Sequence, residues 1–116
     1  MLPILEDIQV ERPADDTSVV VFSGEHDLAT KHEIRELLVS LVTADRVVVA
    51  DFSQTLFVDS SIVTLLLDVN RQALERGKTF RLQLGTAAIV RRVFEITGVF
   101  DVIEHAPTRE EALGRQ

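Results

Sequence analysis

The chain has no cysteine, no tryptophan and no tyrosine. Without cysteine there are no disulfides, no thiolate metal ligands and no cysteine nucleophile. Glycine occurs only five times and proline three times. The glycines make neither a G-x-G-x-x-G nor a G-x-x-x-x-G-K phosphate loop, and there is no G-x-S-x-G nucleophile elbow. No apolar run approaches the ~18 residues of a membrane span, and no basic segment leads into an apolar one near the start. Neither a span nor a signal peptide is expected, and the expected location is the cytoplasm. Basic residues are scarce: 12 Lys and Arg stand against 19 Asp and Glu, a formal net charge of −7. Such an acidic balance disfavours binding to nucleic acid or anionic membrane.

What remains suffices for one domain. A chain of 116 residues buries about two-thirds of the surface it exposes when unfolded. Its composition, 46% hydrophobic and 27% charged, argues against wholesale disorder. The acidity is uneven. Residues 1–59 hold 12 acids and 4 bases, whereas residues 60–116 hold 7 acids and 8 bases. Two readings compete, a plain solvated surface and an acidic docking face.

The apolar pattern alternates between strand and helix periods. Ile8 and Val10 alternate with polar residues. Thr17–Ser23 reads as a strand ended by Gly24. About six residues separate these two strands, which suits an antiparallel hairpin. Thr30 and Glu33 form a capping-box pattern. They open a helix whose apolar face is Ile34, Leu37, Leu38, Leu41 and Val42. Arg46–Phe52 is apolar on both faces, as expected for the covered centre of a parallel sheet. Ser60–Arg76 predicts a long helix, with Gly77 just past its end. Its apolar arc, from Ile62 to Leu74, is wide enough to pack on the sheet and on a neighbour as well. Thr79–Leu84 predicts a strand, and Ala87–Thr97 a helix capped by Thr86 and closed by Gly98. A short strand over Val99–Glu104 follows, then a last helix opened by a second capping box, Thr108 and Glu111. The order β-β-α-β-α-β-α-β-α predicts an α/β fold. Its sheet would be small, mixed and mostly parallel, with four or five strands and about four helices.

Two polar clusters break the apolar logic. Asp59, Ser60 and Ser61 stand between the buried strand and the wide-arced helix, at a helix N-terminus. One of them would suffice as a cap, and three are present. Gly24-Glu25-His26-Asp27 follows the earlier strand. If the two strands are parallel neighbours, Glu25, Asp27 and Asp59 converge at the carboxyl edge, where open α/β sheets gather their sites. The alternative is an ordinary turn, with Asp27 as another cap. A cation site is disfavoured, because no D-x-D-x-D-G loop is present. No metal and no cofactor are expected. A receiver-type phosphoacceptor at Asp59 is discounted, since His105-Ala106-Pro107 stands where a lysine belongs. Arg91-Arg92 reads as a solvated pair.

Four segments resemble the STAS domains of the anti-sigma factor antagonist (anti-anti-sigma factor) family. Gly24-Glu25-His26-Asp27-Leu28 is similar to G-E-x-D-L. Val49-Ala50-Asp51-Phe52-Ser53 followed by Phe57-Val58-Asp59-Ser60-Ser61 is similar to D-L-S…F-x-D-S-S. Ala88–Gly98 is similar to A-V-R-R-V-x-x-x-x-G, and Thr108–Leu113 to S-x-E-E-A-L. The resemblance spans a core of about residues 8–113 in a single domain, 1–116. It implies a non-enzymatic phosphoprotein of bacterial signalling that regulates transcription through protein–protein interaction. The phosphoacceptor would be Ser60, with Ser61 as fallback. Glu25, Asp27, Asp59, Ser60, Ser61 and Ile62 would meet the partner. That partner would be an anti-sigma factor serine kinase, itself holding the ATP. The chain would be a monomer or weak dimer. The family usually has glycine where Ile62 stands, so a partner approaching the backbone there is expected to clash. The alternative is a STAS scaffold without a phosphoswitch, or a regulatory subunit of a transporter or signalling complex. A small hydrolase or phosphotransfer enzyme is the remote third reading.

Overall fold

The computed structural model describes residues 7–26 and 30–114. Its elements are β1 (Ile8–Ala14), β2 (Thr17–His26), α1 (Lys31–Ala44), β3 (Val47–Val58), α2 (Ser60–Glu75), β4 (Thr79–Gln83), α3 (Ala88–Thr97), β5 (Glu104–Ala106) and α4 (Arg109–Ala112). A 3-10 turn, Val99–Asp101, precedes β5. The five strands form one sheet in sequence order. β1 and β2 are antiparallel, and every other pairing is parallel. The expected mixed, mostly parallel α/β architecture is therefore present. The hairpin turn is only Asp15-Asp16, tighter than the six-residue gap expected.

The sheet is apolar on both faces where the sequence is. Val20, Phe22, Val48, Ala50, Phe52, Phe80 and Leu82 share the main core with α1, α2 and α3. Val19, Val21, Val47 and Val49 point the other way, toward Ala112 of α4. The wide arc of α2 has the predicted use, since this helix packs on the sheet between α1 and α3. Leu74 is an exception, standing exposed at the far end of α2. An aromatic row crosses the core: Phe22 stacks on Phe52 at 4.9 Å, and Phe94 meets Phe52 edge-on at 5.3 Å.

Several local expectations are corrected. Gly24 does not end β2. With φ at +77° it forms part of an irregularity, and the strand runs on to His26. Thr30 occupies the N-cap position of α1, but its φ and ψ (−107°, 3°) are not extended and its side chain makes no cap bond. A capping box needs the extended N-cap backbone. Thr108 has it (−129°, 159°) and accepts from the Glu111 N–H at 3.2 Å. Thr86 caps nothing; α3 starts after Ala87. The expected strand over Val99–Glu104 is largely a helical turn. Buried Val99 and Ile103 lie four apart, and the Ile103 N–H donates to the Val99 carbonyl at 2.9 Å. Only the three residues from Glu104 reach the sheet.

Gly85 marks a close approach. A Cβ there would lie 2.7 Å from the Ser53 Cα and 2.8 Å from its carbonyl oxygen. Backbone on both sides has nowhere to yield. Gly85→Ala is expected to destabilise the fold by about 1–3 kcal/mol, the usual range for overpacking. Denaturant titration measures it, and an unchanged midpoint would refute the close contact.

The amino end of the sheet is tied by a buried carboxylate. Asp45, 3% exposed, accepts from the Arg12 guanidinium at 2.9 and 3.0 Å and from the Ser18 hydroxyl. The Arg12 hydrogen bond holds its carboxyl below the ordinary value, against the opposing effect of burial. A folded pKa below the unfolded one contributes stability that is complete above about pH 4 and lost as pH falls through the folded pKa. Between neutral pH and about pH 3 the Asp45→Asn variant is therefore expected to lose less stability than wild type. Urea midpoints at both pH values provide the comparison.

Candidate functional site

The site is built by a strand that outruns its neighbour. β4 pairs with β3 only as far as Asp51↔Gln83. Beyond that point β2 and β3 continue together as a parallel ribbon up to His26↔Val58. β3 spends more residues on this stretch than β2. Val21 pairs with Asp51, Ser23 with Gln54, Gly24 with Thr55 and Glu25 with Phe57. The ribbon thus holds two bulges, which bend a strand and re-aim its side chains.

Buried polar groups hold the bulges. The Asp51 carboxylate accepts from the Ser53 N–H at 2.8 Å. Its other oxygen faces Arg109 of α4 at 3.4 Å, and Arg109 also bonds Glu11 of β1 at 2.7 Å. That guanidinium lowers the Glu11 carboxyl pKa. Thr55, almost fully buried, donates its hydroxyl to the Phe22 carbonyl at 2.7 Å. His26 is buried, lies edge-on to Phe22, and has Nε2 2.9 Å from the Ser23 carbonyl. It is the last residue of β2, not a turn residue. The Asp51–Arg109 pair was not legible in the sequence, because it joins residues distant along the chain.

The ribbon delivers the chain to α2. Asp59 is the N-cap, with extended backbone (−100°, 171°). Its N–H donates to the His26 carbonyl at 3.3 Å, which links the two predicted clusters directly. Its carboxylate accepts from the Ser61 N–H at 2.8 Å and from the Ser61 hydroxyl. Ser60 is the first helical residue and is exposed. Its carbonyl accepts from Thr64 at 3.4 Å, whereas its hydroxyl has no hydrogen bond among the described residues. The two serines therefore differ: one hydroxyl is held by the cap and the other is open to solvent. Residues 47–70 contain no Lys or Arg.

Glu25 is exposed and sits opposite Phe57 on the ribbon. Strand pairing places Glu25 and Asp59 at the same end of the β2–β3 ribbon. Asp27 lies outside the described residues. Ile62 is not on this surface. It is 1% exposed and belongs to the main core, so its side chain neither reaches a partner nor obstructs the backbone. The helix turns the third position after the cap inward, into the main core. Among the described residues no group of three His, Asp or Glu is placed to hold a metal ion. No helix of the described residues is long and apolar enough to cross a membrane.

Comparison with known proteins agrees with this architecture. No curated protein sequence matches the chain. Among solved structures, the anti-sigma factor antagonist SpoIIAA in its unphosphorylated form is 28% identical, with a TM-score of 0.77; the match covers 91% of this chain and 92% of that one. The phosphorylated form of SpoIIAA from Bacillus is 27% identical, with a TM-score of 0.68, over 92% of this chain and 96% of that one. An anti-sigma factor antagonist from Mycobacterium paratuberculosis is 28% identical, with a TM-score of 0.75, over 92% and 90%. A family model described as "Mlab, STAS domain" matches residues 10–104. With that match across most of its length, and the antagonists as its structural neighbours, the chain belongs to the STAS domain family.

Proposed function

We propose that this protein is an anti-sigma factor antagonist switched by phosphorylation of Ser60. Unmodified, it binds an anti-sigma factor that is also a serine kinase, and so frees the sigma factor for transcription. The kinase transfers the γ-phosphoryl group of its own ATP to the Ser60 Oγ. The hydroxyl proton is lost, ADP departs and the complex dissociates. The chain is the substrate, in keeping with its lack of a phosphate loop, and it works in the cytoplasm.

The observation that carries this reading is the contrast between the two serines. Ser60 presents an exposed hydroxyl with no hydrogen bond among the described residues, while the Ser61 hydroxyl is bonded to Asp59. A kinase meets the first without breaking the helix cap. The helix N-terminus tolerates the new charge, since its N–H groups and dipole favour anions. Asp59 and Glu25 make the same face more repulsive to a partner fitted to the unmodified form. Ile62, in the core, supports this surface from below. A STAS scaffold without a switch is the alternative, kept because Ile62 replaces the family's glycine; the burial of Ile62 supports the switched reading.

The test is to mix the purified chain with candidate anti-sigma kinases and ATP, then map the modified residue by mass spectrometry. Phosphate on Ser60, absent from Ser60→Ala, is the expected result. Equal modification of the Ser60→Ala variant would overturn the assignment. Stable copurification with a transporter ATPase, with no phosphate transfer from any kinase, would favour the scaffold instead.

A further inference from the structure

Among the described residues, Leu56 is a large apolar side chain exposed a few positions before Ser60. Leu56 is 66% exposed. A single exposed aliphatic is ordinary on any protein. Leu56 differs in how it comes to be exposed. The second bulge pairs Gly24 with Thr55 and Glu25 with Phe57, which leaves Leu56 with no residue across the ribbon. Thr55 before it and Val58 after it are buried, and Thr55 is bonded to the Phe22 carbonyl. The backbone is thus fixed on both sides while Leu56 is turned out. Bulges of this kind gather beside functional sites, where they re-aim a side chain.

Position and charge indicate what would cover it. Three residues lie between Leu56 and Ser60, so over four residue steps their Cα atoms lie at most about 14 Å apart. A contact of about 800 Å² per partner spans that distance. The exposed carboxylate of Glu25 lies across the ribbon, Asp59 caps the neighbouring helix, and residues 47–70 bring no cation. The geometry points to Leu56 as the apolar anchor of the Ser60 docking face, seated in an aliphatic pocket of the partner rimmed by Lys or Arg. This rests on the reading that the Ser60 face binds an anti-sigma kinase, and it commits to that kinase as occupant. A few fully buried residues near the centre carry most of the affinity of an interface, while surrounding charges set orientation and association rate. The switch then has two parts: Leu56 supplies attachment in both states, and charge at Ser60 decides whether attachment holds.

The experiment measures binding of wild type, Leu56→Ala, Leu56→Gln and Leu74→Ala to each purified candidate kinase. Leu74, 68% exposed at the opposite end of α2, is the matched control. Both Leu56 variants are expected to bind at least about 30-fold more weakly, as for an interface hot spot. Leu74→Ala is expected to match wild type, and thermal melts should show all four folded. Two substitutions at one exposed position guard against a folding defect in either. Raising the ionic strength is expected to slow association of wild type. Wild-type affinity in both Leu56 variants would overturn the anchor while leaving the kinase partnership intact. Association indifferent to salt would overturn the basic rim. Failure of every kinase to bind wild type would overturn the partnership itself, and the anchor with it.

Discussion

Ser60→Asp is expected to bind the partner about 10- to 100-fold more weakly than wild type while melting no lower. The affinity change follows from like-charge juxtaposition at a face that already carries Asp59 and Glu25, with no cation between residues 47 and 70. The unchanged melt follows from the position. Ser60 is the first residue of a 16-residue helix, where a carboxylate interacts favourably with the macrodipole and the free N–H groups. One substitution therefore weakens binding without weakening the fold, which a general folding defect cannot imitate. Ser60→Ala supplies the comparison, with wild-type affinity and no phosphate acceptance. Phosphoserine carries about −1.5 to −2 charges near neutral pH, so genuine modification should weaken binding more than the single charge of Asp. Isothermal titration against the kinase, with parallel thermal melts, reads both quantities. Binding of Ser60→Asp at wild-type strength would remove charge repulsion as the basis of release.

Phe52→Ala is expected to destabilise the fold by about 3–5 kcal/mol, the usual cost of truncating a buried aromatic. Phe52 is 1% exposed and lies between Phe22 and Phe94. It is also the residue at which β3 leaves β4 and enters the ribbon. Truncation removes both ring contacts and leaves a cavity beneath the first bulge. A domain of this size holds about 6–17 kcal/mol of total stability, so the variant sits near the threshold of folding. Equilibrium denaturation gives the loss directly. Phe52→Leu, which keeps most of the volume, is expected to recover more than half of it. A loss below about 1 kcal/mol for Phe52→Ala would mean that the aromatic row does not bind the ribbon to the core.

The two bulges also explain why the sequence was readable in some places and misleading in others. Ser60–Glu75 was legible because a long apolar period, an N-terminal polar run and Gly77 all specify the same helix. Val47–Phe52 was legible as a covered strand because it is apolar on both faces. The continuation of β3 through Ser53–Val58 was not, since alternation fails at each bulge and the polar residues resemble a loop. Thr30 and Thr108 carry the same capping signature, yet only Thr108 has the extended backbone that lets its hydroxyl reach the third residue. Ile62 looked like an obstacle at the surface. Its inward direction depends on the rotation of α2 against the sheet, which packing sets.

The charge asymmetry followed the same course. By itself the sequence determined an acidic, cysteine-free α/β domain with a helix that begins at Asp59-Ser60-Ser61. It also determined that its carboxylates crowd into the first half, because composition and period are properties of the chain alone. The tertiary structure decided which of those groups share a surface. Parallel pairing of β2 with β3 brings Glu25 to the end of the sheet that holds Asp59, while Asp45 and Asp51 are buried and paired with Arg12 and Arg109. It also decided that Ser61 is held, Ser60 is open and Leu56 is turned outward. Those outcomes depend on strand register, and one extra residue in a strand changes the register without changing its apolar pattern enough to be seen.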